Sequence, residues 1–89
     1  MATKLQTILQ KKFRRRWSDL EFLIMLEIAQ TPSTFIVLVE YTGASTSGVW
    51  NALQHLLNTD DLAFAVKLEG RNFYHLTDKG KLELSHILT

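Results

Sequence analysis

The start of the chain carries an apolar stripe with helical spacing. Leu5, Ile8, Leu9 and Phe13 recur at i, i+3, i+4 and i+8, so they would lie on one side of a helix. This pattern predicts an amphipathic helix over about residues 3–15. Its apolar side has to pack against the rest of the domain or against the matching helix of a second subunit.

A second helix is predicted from the capping signal at Ser18. Glu21 follows three residues later, and in such a capping box each side chain accepts a hydrogen bond from the backbone N–H of the other residue. Residues 20–29 are apolar on nearly all sides of a helix. Pro32 ends it, because proline disfavours helical geometry in the residue before it. We therefore expect a central buried helix up to about Gln30.

The next segment, residues 35–39, is apolar and rich in β-branched side chains, so by itself it suits a buried strand or a short helix. The residues that follow favour the helix. Gly43 provides the permissive backbone of a tight turn, and Ser45 or Thr46 can cap another helix directly after it. We therefore predict a short helix over about residues 35–41.

Residues 46–58 have the most regular helical pattern in the sequence. Their apolar side chains gather on one side at about 100° per residue, and Trp50 lies at the boundary. The opposite side is polar but contains no lysine or glutamate, which is unusual for a plain solvated helix. Amides, hydroxyls and imidazole can donate to and accept from the edges of DNA bases. This polar side consists of Ser47, Asn51, Gln54, His55 and Asn58.

After residue 61 the period changes to two. Phe64, Val66 and Leu68 alternate with small or charged residues, which predicts a strand. A turn at residues 69–72 contains the glycine that a hairpin needs, and residues 73–76 form the return strand. Thr77 and Asp78 then cap a last helix with apolar positions up to residue 88.

The net charge of +1 conceals two oppositely charged parts. Residues 1–17 hold six basic residues and no acid, whereas residues 18–89 hold four basic and nine acidic residues. Such a split indicates an anionic partner for the N-terminal end, with a merely solvated arm as the alternative. The basic cluster consists of Lys11, Lys12, Arg14, Arg15 and Arg16.

Several classes of protein are excluded or made improbable by composition. With 89 residues and no cysteine, the chain has one domain, no disulfide framework and no thiolate metal site. The longest apolar runs have five residues, too few for a membrane span, and no secretory signal is visible. The three histidines lack metal-ligand spacing, and neither a phosphate loop nor a catalytic triad is suggested. We therefore expect a cytoplasmic protein that is not an enzyme and has no catalytic residues, metal or cofactor.

The order of elements, with a helix–turn–helix followed by a hairpin and a closing helix, resembles the winged helix–turn–helix proteins, in particular bacterial MarR-like and PadR-like regulators. Residues 46–56 resemble the recognition helix of that family. Residues 74–81, with their Leu-Thr-Asp-Lys-Gly sequence, resemble the exit from its wing. The resemblance covers residues 18–88. It departs from the family where Asp60 and Asp61 replace a glycine and an apolar residue, and where the recognition helix lacks a lysine or arginine.

The resemblance implies a mostly α fold with a small β-hairpin (α+β). The N-terminal helix or arm spans residues 1–17, the helix–turn–helix and wing residues 18–77, and the C-terminal helix residues 78–89. It further implies a homodimer through its N- and C-terminal helices. Bound to double-stranded DNA, this would be a small prokaryotic, plasmid or phage transcriptional regulator, nucleoid-associated when bound. The alternative is a winged helix used for protein–protein interaction, replication or partition. The expected DNA contacts are Thr46, Ser47, Asn51, Gln54 and His55 on the recognition helix, Lys67 and Arg71 on the wing, and the N-terminal basic cluster on phosphates.

Overall fold

The computed structural model describes residues 17–88. The predicted helix over residues 3–15 and the basic residues 11–16 lie outside the described residues. The elements are α1 (Asp19–Gln30), α2 (Phe35–Thr42), α3 (Thr46–Gln54) with a π-helical turn (His55–Thr59), β1 (Ala63–Leu68), β2 (Arg71–Leu76) and α4 (Asp78–Leu88). This order confirms the predicted mostly α fold with a β-hairpin.

The capping box at the start of α1 is present as predicted. Ser18 Oγ accepts from the backbone N–H of Glu21 at 3.0 Å, and Glu21 Oε1 accepts from the backbone N–H of Ser18 at 2.8 Å. Glu21 is buried together with apolar residues of the helix, whereas Ser18 is exposed. The buried side chains of α1 are Glu21, Phe22, Ile24, Met25 and Ile28.

The segment that the sequence left open between strand and helix is helical. Thr34 caps α2 by accepting from the Val37 N–H, and Gly43 ends it with a φ of 71°, in the left-handed region that suits glycine. Only Leu38 is fully buried in α2. The other apolar side chains on it are partly or largely exposed.

Two boundaries differ from the prediction. The helix predicted over residues 46–58 is α-helical only to Gln54 and then widens into the π-helical turn, in which the Asp60 N–H bonds the His55 carbonyl at 3.0 Å. The hairpin turn contains only Glu69 and Gly70, so the return strand starts at Arg71 and not at residue 73. Both turn residues have positive φ, as a two-residue hairpin loop requires.

The two strands form an antiparallel hairpin whose two faces differ in burial. The register pairs Ala63 with Leu76 and Phe64 with His75. Ala63, Tyr74 and Leu76 face the core and are buried. Ser33, between α1 and α2, joins the sheet through backbone hydrogen bonds with Tyr74, which attaches the hairpin to the helical core.

The base of the hairpin shows how the departures from the family pattern are accommodated. Asp61 takes a φ of 56° and so occupies a left-handed position that favours glycine, while Leu62 directly after it is fully buried. Thr77 bonds the carbonyls of both residues through its N–H and Oγ1 and accepts from the N–H of Gly80. A Cβ on Gly80 would collide with the Leu62 carbonyl, so α4 can approach this loop only with glycine there.

The hydrophobic core lies between α1, α3, the loop after α3 and the inner face of the hairpin. Leu84 of α4 closes it from one side. Its fully buried side chains are Ile24, Met25, Leu38, Val49, Leu53, Leu56 and Leu62.

Candidate nucleic-acid interface

The polar side of the predicted recognition helix points away from the core. Val49 and Leu53 on the other side of α3 are completely buried. Ser45 caps the helix by accepting from the Gly48 N–H at 3.1 Å. The exposed polar residues along this stretch, which we call the polar face, are Thr46, Ser47, Asn51, His55 and Asn58, with Gln54 half-buried among them.

Part of the hydrogen-bonding capacity of the polar face is used internally. Asn58 Nδ2 donates to Gln54 Oε1 at 2.9 Å, one turn away. This bond orients the Gln54 amide and leaves its NH₂ group as a donor. Asn51, one turn earlier, is exposed. The polar face therefore presents two amides side by side along the helix axis.

His55 is held by two carboxylates that the sequence did not link to it. Its Nδ1–H donates to Glu21 Oε2 at 2.7 Å and lies 3.5 Å from Asp60 Oδ2. The ring remains 49% exposed. No spacing in the sequence signals this contact, because it joins residues 34 positions apart. The signal that was available is the capping box: Glu21 lies on a buried helix, and only one of its two carboxylate oxygens is used by the cap. Nε2 takes part in neither of these two contacts.

Trp50 lies at the edge of the polar face and contacts α2. Its ring meets Phe35 edge-to-face at 5.8 Å between centroids and remains 48% exposed. Trp50 therefore lies at the boundary between the apolar and polar sides of α3, where its ring packs on Phe35. It also lines a groove between α2, α3 and the hairpin. Ser47 of the polar face and Arg71 of the wing also line this groove.

The two basic residues of the wing lie on opposite faces of the hairpin. Lys67 pairs with Asn72, whereas Arg71 pairs with Leu68, and neighbouring pairs in a sheet project to alternate faces. Both side chains are exposed. A molecule that lies against one face of the hairpin could therefore contact Lys67 or Arg71 but not both. Glu69, between them at the turn, adds the opposite charge.

These elements define a winged helix–turn–helix: α2 and α3 are its helix pair, and the β1–β2 hairpin is its wing. No protein-family model matches the chain, and no curated protein matches it either. Solved structures do match. The adhesin competence repressor AdcR of Streptococcus pyogenes is similar with a TM-score of 0.77 and 21% identity over 94% of this chain.

Two further structures show the same fold. The transcriptional regulator BldR of Sulfolobus solfataricus aligns with a TM-score of 0.75 and 18% identity over 94% of this chain. Staphylococcus aureus MarR, solved in complex with salicylate and kanamycin, aligns with a TM-score of 0.71 and 22% identity, again over 94%. The chain therefore has the winged-helix fold of MarR-type transcriptional regulators, as its sequence motifs predicted.

The chain is shorter than these proteins. It spans 60% of the BldR chain, 64% of the AdcR chain and 56% of the MarR chain. BldR is named as a transcriptional regulator and AdcR as a repressor. Among residues 17–88, no helix has the length and apolar character needed to cross a membrane.

Proposed function

We propose that this protein binds double-stranded DNA with sequence preference and acts as a small transcriptional regulator. The observation that carries the proposal is that the polar face of α3 is exposed, while the opposite side of the helix is buried in the core. A helix of this kind fits the major groove of B-DNA, where its side chains meet the base edges. The winged-helix regulators with the same fold support this assignment.

Asn51 and Gln54 are the residues that we assign to base recognition. Each amide can pair with an adenine through two hydrogen bonds, which contributes about 1–3 kcal/mol of discrimination per good pair. Gln54 would do so through the second lone pair of Oε1, since the first accepts from Asn58. Thr46, Ser47 and His55 would contact phosphates or base edges near them. With no cation on the polar face, discrimination would come from hydrogen bonds and not from an arginine–guanine pair.

Affinity is assigned mainly to basic residues outside the polar face. Residues 17–88 hold nine acidic and four basic residues, so their own field is unfavourable to DNA. The proposal therefore requires Lys11, Lys12, Arg14, Arg15 and Arg16 as phosphate ligands, with Lys67 and Arg71 contributing at the wing. Such contacts hold the protein in register while α3 reads the bases.

The active form in this proposal is a cytoplasmic homodimer, associated with the nucleoid when it is bound to DNA. On α4, Leu82 and Leu88 are exposed apolar residues, which supports the C-terminal helix as part of a dimer surface. A symmetric dimer would read two half-sites about one helical turn apart. A plasmid or phage origin belongs to the same proposal.

The decisive experiment measures binding to random-sequence duplex DNA at several salt concentrations, followed by selection of preferred sites. We expect binding at about 50 mM salt that weakens steeply as salt rises. Absence of binding at the lowest salt would refute the proposal. Alanine in place of Arg14, Arg15 and Arg16 should weaken binding to all sequences and reduce the salt slope by about 3.

A matched pair of variants separates affinity from recognition. Asn51→Ala with Gln54→Ala should reduce the preference among selected sites while leaving binding to random DNA nearly unchanged. Gln30→Ala, which removes an exposed amide at the end of α1, is the control for a nonspecific loss of an amide. An equal loss of affinity for all DNA in both variants would contradict the recognition role of the polar face.

A second candidate function is a protein-interaction winged helix, as in replication or partition modules. Two observations favour it. One face of the wing is apolar and exposed, at Phe64, Val66 and Leu68, and residues 17–88 have more acidic than basic residues. Failure of the protein to bind DNA, together with a stable complex with a partner protein that is lost in wing variants, would support this function instead.

A further inference from the structure

Three possible metal ligands converge where α1 meets the end of α3. The ligand atoms of Glu21, His55 and Asp60 all lie within 4.8 Å of one another. His55 Nδ1 is 2.7 Å from Glu21 Oε2 and 3.5 Å from Asp60 Oδ2. Each residue comes from a different element: α1, the π-helical turn and the loop that leads to the hairpin. We propose that these three residues bind a divalent transition-metal ion, with Zn²⁺ as the ion that the donor set fits best.

Local structure positions all three side chains before any ion is present. The capping box holds Glu21 because Oε1 accepts from the Ser18 N–H, which leaves Oε2 directed at His55. The π-helical turn bonds the Asp60 N–H to the His55 carbonyl, so the residue five positions after the histidine is brought back beneath its ring. A site in which second contacts already orient the ligands loses little freedom on binding metal.

The Asp60 carboxylate supplies a second observation that points to a bound cation. Its Oδ2 is shielded from solvent and takes part in no hydrogen bond in the described part of the chain, and His55 Nδ1 approaches it only to 3.5 Å. A shielded carboxylate oxygen without a hydrogen-bond donor is costly. Two carboxylates around one imidazole concentrate negative charge at a point that only a proton on the ring or a bound cation neutralises.

The distances suit a transition-metal ion after a small opening of the site. Metal–ligand bonds of about 2.0 Å at tetrahedral angles separate neighbouring ligand atoms by about 3.3 Å. The 3.5 Å separation already fits, and the 2.7 Å hydrogen bond would lengthen as Nδ1 exchanges its proton for the ion. The half-exposed ring leaves a side open to solvent, so water can enter as the fourth ligand.

The types of donor atom determine which ions fit the site. Imidazole with two carboxylates suits Zn²⁺, Co²⁺ or Ni²⁺, whereas Mg²⁺ and Ca²⁺ favour oxygen ligands alone. His55 would use Nδ1 for the ion and keep Nε2 free. The proposal is independent of DNA binding, since it rests on the ligands alone.

The test uses the full chain after treatment with a chelator. Zn²⁺ is titrated in competition with a chromophoric zinc indicator, and Co²⁺ alone is titrated while its visible absorption is recorded. We expect one equivalent of either ion per chain, a Co²⁺ spectrum typical of four-coordination, and a higher Tm with Zn²⁺. Binding of less than one equivalent, or a Co²⁺ spectrum like that of the hydrated ion, would overturn the proposal.

Variants locate the site. Asp60→Asn and His55→Gln should each weaken Zn²⁺ binding about tenfold or more, and Glu21→Gln should do the same while keeping the capping box, since glutamine also serves there. Asp61→Asn and His86→Gln are matched controls that should leave Zn²⁺ affinity unchanged. Circular dichroism and the metal-free Tm establish folding of each variant. Equal affinity in folded Asp60→Asn and the control Asp61→Asn would refute the assignment.

Discussion

The recognition helix α3 and the wing both turn one face away from the core, and the two outward faces have opposite chemical character. The outward face of α3 is polar, whereas the outward face of β1 is apolar: Phe64 and Val66 are each 43% exposed and Leu68 is 59% exposed. The inward position Ala63 is only 2% exposed. Ala63, at the start of the strand, is the buried residue of β1, and the large apolar side chains face solvent.

The difference shows what each kind of periodicity can reveal. In a helix with one apolar and one polar side, burial follows directly from the pattern. In β1 both alternating sets contain apolar residues, so the period of two identifies a strand without saying which set faces inward. The register with β2 decides it, because Ala63 pairs with Leu76 and Ala65 with Tyr74, and both partners are buried in the core.

The largest expected contrast lies within α3 itself. Leu53→Ala should lower the free energy of unfolding by about 2–5 kcal/mol, because it leaves a cavity at a fully buried position. Asn51→Ala, on the exposed polar face, should change it by no more than about 0.5 kcal/mol. Urea denaturation followed by circular dichroism measures both. Similar losses in the two variants would mean that the polar face is covered by protein.

Much of the fold was predictable from local signals. The Ser18–Glu21 capping box, the turn at Gly43 and the Leu-Thr-Asp-Lys-Gly motif each have a local physical cause that the structure shows. The direction of the polar face was predictable for the same reason, since helical periodicity is local.

Long-range contacts were not predictable. The contact of His55 with Glu21 joins residues 34 positions apart, and the approach of Asp60 depends on a π-helical turn that an uninterrupted apolar pattern does not signal. The expectation of no metal site rested on the absence of cysteine and on the spacing of the histidines. Two carboxylates contributed by other elements have no spacing rule by which a sequence could reveal them.

The base of the wing offers the next largest effect. Gly80→Ala should destabilise the protein by about 1–2 kcal/mol, because the added Cβ collides with the Leu62 carbonyl, although alanine favours a helix by about 1 kcal/mol. Gly48→Ala in α3 is the matched control. There a Cβ would meet chiefly the Ser45 hydroxyl at 3.0 Å, a side chain that can move.

Thermal and urea unfolding of the two glycine variants distinguish the regions. The Gly48 variant should lie within about 1 kcal/mol of the parent, as helix propensity offsets a weakened cap. A Gly80 variant as stable as the parent would show that α4 does not pack against the loop before the wing in the way described.

A smaller gain in stability is expected at the tip of the wing. Glu69 has a φ of 52°, where a side chain other than glycine, asparagine or aspartate is strained. Glu69→Asn should therefore raise the free energy of unfolding by about 0.5–1 kcal/mol, since Asn-Gly suits a two-residue hairpin turn. Glu69→Gln removes the same charge without relieving the backbone. A comparable gain in the glutamine variant would assign the effect to charge.

The smallest effect tests the exposed face of the wing directly. Val66→Thr keeps the shape of the side chain and a β-branched carbon, so at a 43% exposed strand position the free energy of unfolding should change by no more than about 0.5 kcal/mol. Val49→Thr makes the same substitution at a fully buried position of α3 and should cost about 1–3 kcal/mol, because the hydroxyl is buried among apolar side chains. Urea denaturation at two protein concentrations compares the pair. A loss at Val66 as large as that at Val49, and larger at high concentration, would mean that a second molecule covers the apolar face of the wing, which would favour the protein-interaction function.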